Sequence, residues 1–191
     1  MSNKNGALTL CIDSSGTVTL TDPQMRLDVG AVAKGYATEQ VARWLEQQGI
    51  SGYLLNVGGN IRAVGSRGNG SPWTVGIENP TNTTAEYTAI LALSDEALVT
   101  SGSYQRYYVV DGKRYHHIIH PDTLMPAEGL LSVSVVCADA GLGDALSTAL
   151  FCMPVQVGLA MVESLPNVEA LWVAEDNYIY STTGWNLYVK Q

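Results

Sequence analysis

Apolar and polar positions alternate with a period of two over much of this chain and change to a helical spacing in three places. Residues 73–78 set Trp73, Val75 and Ile77 against Thr74 and Gly76, the pattern of a half-buried strand. The same reading predicts strands at 53–57, 61–65, 87–93, 97–100 and 131–137. It predicts hairpins joining 7–12 to 17–20 around Asp13-Ser14-Ser15-Gly16, 104–110 to 113–119 through Asp111-Gly112, and 168–174 to 178–180 over Glu175-Asp176-Asn177. A first helix opens in the loop before Lys34 and stops at Gly49, with Ala37, Val41, Trp44 and Leu45 expected to face inward. A second covers 138–151 with an apolar face of Leu142, Ala145, Leu146, Ala149 and Leu150, and a third covers 155–164 after Pro154. Residues 185–189 close the chain. Many antiparallel strands, three helices and no βαβ alternation predict an α+β domain, an antiparallel sheet with helices packed on one face. That pattern argues against a Rossmann-type dinucleotide fold.

Length and charge narrow the function. The 191 residues suit one domain with a real core. A net charge of −8 with only ten Lys and Arg argues against nucleic acid and against an anionic membrane surface. An anionic ligand remains open if a metal ion bridges it to the protein. The three cysteines, Cys11, Cys137 and Cys152, are far apart, form no Cys-x-x-Cys, and indicate neither a zinc ribbon nor a disulfide framework. The opening MSNKNGALTL has the pattern of neither a signal peptide nor a membrane span, and Cys11 follows polar residues, unlike a lipid-anchor cysteine.

Four stretches could carry chemistry. The Gly/Ala-rich loop that places Lys34 in the first turn of a helix suits an anion, because free N–H groups and the positive end of the helix dipole face that way. Its spacing is not that of a P-loop, and a packing role for Gly30 and Gly35 is the plainer alternative. Asp144 and Thr148, four apart on one helix, present two oxygens on one face, as a hard cation requires. A capping pair on a core helix is the competing reading. His116, His117 and His120 lie within five positions. On a continuous strand His116 and His120 share a face, yet no acidic residue or cysteine completes a transition-metal set. Thr100-Ser101-Gly102 suits phosphate or ribose contacts, or is a plain turn.

Read together and in order, these segments resemble one family. Leu27-Asp28-Val29-Gly30-Ala31-Val32-Ala33-Lys34-Gly35-Tyr36, Asn56-Val57-Gly58-Gly59-Asn60-Ile61, Trp73-Thr74-Val75-Gly76-Ile77, Thr100-Ser101-Gly102, Gly112-Lys113-Arg114-Tyr115-His116-His117-Ile118-Ile119 with Pro121-Asp122-Thr123, and Asp144-Ala145-Leu146-Ser147-Thr148-Ala149 are similar to motifs of the ApbE family. The resemblance implies a T-fold-like α+β domain and a flavin transferase that cleaves FAD and attaches FMN to a Thr or Ser of an acceptor protein. It implies magnesium held by Asp144, Thr148 and the backbone carbonyl of Ala31, with FAD near Gly30, Lys34, Gly58, Gly59, Thr100, Ser101 and His117. His117 and Asp144 are the implied catalytic residues. The chain departs from the family pattern at His120, where Asp is usual, and at Leu124, where Gly is usual. Family members also carry an N-terminal portion, with Met-Gly-Thr and Phe-Asp-x-Thr segments, that these 191 residues lack. Two readings follow: a transferase completed by an upstream segment or partner chain, or a catalytically degenerate flavin- or nucleotide-binding accessory module. The resemblance places such a protein on the cell-envelope side if an export signal has been trimmed.

Overall fold

The computed structural model describes residues 10–190 except 23, 25 and 82–84. Residues 7–9 of the first expected strand, Met25 of the segment leading to the helix, and Asn82 of the turn after Pro80 therefore lie outside the described residues.

Chain order is β1 (Leu10–Ile12), β2 (Val18–Leu20), α1 (Ala33–Gln47), β3 (Tyr53–Val57), β4 (Asn60–Val64), β5 (Trp73–Glu78), β6 (Tyr87–Leu93), β7 (Ala97–Gly102), β8 (Tyr107–Val110) and β9 (Lys113–His116), followed by β10 (Leu130–Cys137), α2 (Ala140–Phe151), α3 (Val155–Glu163), β11 (Glu169–Ala174), β12 (Ile179–Ser181) and a 3-10 turn at Trp185–Leu187. Six strands form one antiparallel sheet in the order β12-β11-β10-β7-β4-β3. The remaining strands pair as hairpins: β1 with β2, β5 with β6, β8 with β9.

Alternation along each strand divides the core in two. On one face Val133, Val135, Cys137, Ala170 and Trp172 pack with Leu146, Leu150 and Phe151 of α2 and Val162 of α3. On the other, Ile61, Ala63, Leu98, Val136, Leu171 and Val173 meet Val75, Ile77, Leu91 and Leu93 of the β5–β6 hairpin and Trp185. The expected α+β class, with helices on one face of an antiparallel sheet, is what the chain forms. Gly58 and Gly59, at φ +55° and +84°, join β3 to β4 in a two-residue turn, and Asp111-Gly112, at +49° and +77°, do the same for β8 and β9.

Several expectations need correction. The face of α1 that turns inward is Gly35, Thr38, Glu39 and Ala42. Ala37 is exposed and Leu45 only half-buried, while Val41 and Trp44 are 48% and 58% exposed. Both stripes obey the same i, i+3, i+4 spacing. The helix is set by its close approach to α2 and by the pairing of Glu39, so the less hydrophobic stripe is the buried one. On α2, Leu142 is exposed, and Gly143, Asp144 and Ser147 are buried in its place. The strand expected over 104–110 begins only at Tyr107, and the one over 113–119 ends at His116. Past His116 the chain leaves the ladder and turns on itself, with Ile119 bridging Pro126 and the His120 N–H donating to the Met125 carbonyl. His116 and His120 therefore do not share a strand face.

Candidate functional site

The site forms where the N-terminus of α1 meets the flank of α2. No side chain caps α1 at Val32. Its Gly35 N–H instead donates to the buried Asp144 carboxylate, Oδ2 at 2.7 Å. That N–H is one of the first-turn donors that an α-helix cannot satisfy within itself. Asp144 thus caps the neighbouring helix, a role neither sequence reading of the Asp144/Thr148 pair included.

The approach is close because residue 35 is glycine. A Cβ there would lie 2.2 Å from the Ala140 carbonyl oxygen and 2.6 Å from Asp144 Cβ. Lys34 is partly exposed, and its ammonium lies 3.3 Å from the Gly58 carbonyl and 3.9 Å from Asp144 Oδ1. Lys34, the Gly58-Gly59 turn and Asp144 are therefore neighbours. One turn along α2, Thr148 Oγ1 is 3.3 Å from Ser101 Oγ, which also lies 2.9 Å from Ser147 Oγ. A carboxylate, three hydroxyls and an ammonium thus gather at one helix–sheet junction.

Other expected residues lie apart from it. Thr100 precedes Ser101 on β7 and so points to the opposite face, its hydroxyl 2.8 Å from that of Ser134. Gly30 is exposed and its N–H donates to Asp28 Oδ1 at 2.7 Å, an Asx turn that shapes the loop before α1. His117 is exposed just past β9, its Nδ1 3.3 Å from the Arg106 carbonyl. His116 is buried and saturated: Nε2 bonds the Ala127 carbonyl at 2.8 Å and Nδ1 accepts from the Ile118 N–H. Its environment is that of a core histidine. A cavity of about 830 Å³ opens between β9, the loop after it and the start of β10, lined by Ser103, Lys113, Arg114, His116, His120 and Glu128 among others. It lies apart from the Lys34–Asp144 cluster, whose residues do not line it.

The sequence reading missed a buried polar group behind the cluster. Glu39 on α1 lies 3.3 Å from Arg62 Nε and 3.3 Å from Arg43 Nε, and accepts the Ala140 N–H at 3.0 Å. Its hydrogen bond to Arg43, then its charge, raises that guanidinium above its usual range. Asn60 Nδ2 donates to the Ala140 carbonyl at 3.3 Å. One readable signal was available: Arg62 is the lone charge in Ile61-Arg62-Ala63-Val64, an otherwise apolar strand that buries it.

This sheet, helix layer and polar junction define a class of mixed α+β proteins that includes solved flavin transferases. The ApbE protein of Thermotoga maritima superposes with a TM-score of 0.84 at 30% identity, over 96% of this chain and 60% of that one. The flavin transferase ApbE of Vibrio cholerae does so with a TM-score of 0.83 at 31% identity, over 94% and 58%. The model of the ApbE family matches residues 3–172, and this chain belongs to that family. Among relatives, the FAD:protein FMN transferase of Klebsiella pneumoniae is 35% identical over 168 residues, 87% of this chain and 51% of that protein. That of Treponema pallidum is 34% identical over 177 residues, 88% and 49%. The chain thus spans about half the length of these two curated relatives.

Proposed function

We propose that this chain carries the phosphate-handling part of a magnesium-dependent flavin transferase, which moves FMN from FAD to a Thr or Ser hydroxyl of an acceptor protein. The observation that carries the reading is the Asp144 carboxylate, held by the Gly35 N–H at 2.7 Å and lying 3.9 Å from the Lys34 ammonium at the start of α1. The donors fit a hard cation: carboxylate, hydroxyl and carbonyl oxygens, with no sulfur or imidazole among them. Asp144, Thr148 and the Ala31 carbonyl would hold magnesium, which when bound neutralises the pyrophosphate and polarises it.

The chain's own groups do the rest. Lys34, tethered at Gly58, supplies a positive charge to a phosphate oxygen, and the amides of the first turn of α1 add theirs. Ser101, itself bonded to Ser147, hydrogen-bonds the Thr148 hydroxyl at 3.3 Å and restrains it. His117, exposed just past β9, is the residue assigned in this reading to take the acceptor's proton. The acceptor protein and a further segment or chain, matching what the longer relatives have, complete the flavin enclosure.

Incubation with FAD and magnesium chloride, followed by mass analysis, tests the reading. Release of AMP with FMN transfer to an added acceptor, lost in Asp144→Asn, supports it. Absence of any magnesium-dependent FAD binding by the chain together with its upstream segment overturns it. A second reading, a binding module without turnover, rests on Leu124 and on the chain spanning about half the length of its relatives. FAD binding without AMP release identifies that case.

A further inference from the structure

The two helices at the site cap each other. Asp144 of α2 accepts the Gly35 N–H in the first turn of α1, and Glu39 of α1 accepts the Ala140 N–H in the first turn of α2. Each carboxylate answers a free amide at the positive end of the partner helix. Asp139, the residue before α2, accepts the Leu142 N–H with Oδ1 and Arg43 Nη2 with Oδ2, and the Ala140 amide goes to Glu39. Glu39 is itself fixed by Arg62, whose side chain comes up from β4 in the sheet below. The Ala140 peptide is therefore held on both sides, its N–H by Glu39 and its carbonyl by Asn60.

We infer that Glu39, charged and paired with Arg62, is a positioning residue for the proposed magnesium site. It locks α2 against α1 in the register at which Asp144 meets Gly35. The lever is short: Glu39 lies one helical turn beyond Gly35 on α1, and Ala140 one turn before Asp144 on α2. A sliding of either helix that breaks one cap breaks the other. This inference rests on the magnesium reading for its consequence, and on geometry alone for the coupling.

Hydrogen exchange of the ¹⁵N-labelled full chain, without metal, tests the coupling first. In the unaltered protein the Gly35 and Ala140 amides should have protection factors within about threefold of one another and should fall together as urea is raised. Independent opening of the two overturns the inference, whatever any variant does. The variant is Glu39→Leu with Arg62→Met, which removes the acceptor of the Ala140 N–H without stranding an unpaired buried guanidinium. Gly35 protection should fall at least about tenfold while the amides of β7 and β10 keep theirs. Magnesium affinity by calorimetry should fall by a similar factor. Unchanged Gly35 protection in the folded double variant overturns the inference. If the unaltered chain binds no magnesium, the metal reading fails, and the Gly35 amide still decides the role of Glu39.

Discussion

Gly35→Ala is the sharpest test of the helix junction. The added Cβ meets the Ala140 carbonyl oxygen at 2.2 Å and Asp144 Cβ at 2.6 Å, and the nearer of these is backbone that no rotamer change can move. Relief requires the helices to part by about 1 Å, since carbon atoms sit at about 3.5 Å or more in ordinary contact. Replacing glycine within a helix gains about 0.5–1 kcal/mol. Against it, forcing one methyl into a packed interface costs about 1–3 kcal/mol. Parting the helices also lengthens the 2.7 Å bond from Gly35 to Asp144, and a hydrogen bond to a charged group is worth about 1.5–3 kcal/mol. Both losses come from one displacement and do not add in full, so a net destabilisation of about 2–3 kcal/mol is expected. Urea denaturation followed by circular dichroism measures it, with Gly68→Ala as control because nothing lies within 4 Å of that Cβ and its φ is negative. The control should change stability by less than about 0.5 kcal/mol. A Gly35→Ala variant as stable as the control would show that the junction yields freely, and the account of the site would be wrong.

Three further outcomes are expected. Asp144→Asn keeps an oxygen to accept the Gly35 N–H, so the chain should stay folded with a loss of about 1–2 kcal/mol, while calorimetry should find magnesium-dependent FAD binding abolished; retained binding would refute the ligand assignment. Leu124 is 61% exposed and held at φ +56°, a conformation that costs a branched side chain about 1–2 kcal/mol. Leu124→Gly, restoring the residue usual in the family, should raise the urea midpoint by a stability gain of about 0.5–1 kcal/mol after the entropy of glycine is subtracted, and a lowered midpoint would contradict this. Burial pushes the Cys137 thiol from 9.0 up to about 11, so the unfolded chain loses its proton first as pH rises. That contribution to stability is complete below pH 9 and lost towards pH 11, at most about 3 kcal/mol; Cys137→Ala should flatten the alkaline limb of the stability profile, and an unchanged slope would exclude the thiol as its cause.

What the sequence revealed, and what it hid, follows from the range of the interactions. The Asp111-Gly112 turn was legible because both of its residues must take positive φ, a local demand. The alternation in 73–78 gave β5 to the residue, since Val75 and Ile77 are buried and Thr74 and Gly76 are not. The face of α1 was not legible. Hydrophobicity ranks Val41 and Trp44 above Thr38 and Glu39, and no window on the helix shows that Arg62, twenty-three residues on, will pair with Glu39. The grouping of Thr100 with Ser101 failed for a reason that was available, since adjacent strand residues face opposite ways. The expected histidine face failed because β9 stops at His116, and the bend that follows depends on a bridge from Ile119 to Pro126.

The distance along the chain between Gly35 and Asp144 has a consequence during synthesis. The two residues are separated by 109 positions. A ribosome adding roughly 5–20 residues per second therefore delivers the cap of α1 about 5–20 s after the amide it serves. Until then α1 has an unsatisfied leading end and, at 15 residues, is marginal as an isolated helix in water. Strands β3, β4 and β7 emerge while it waits, and β10 and α2 must follow before the junction can close. The nascent chain thus passes through a period of seconds in which its sheet is half built and its helix unanchored, the interval in which a holding chaperone has something to hold. The Lys34–Asp144 corner can assemble only after α2 has been made.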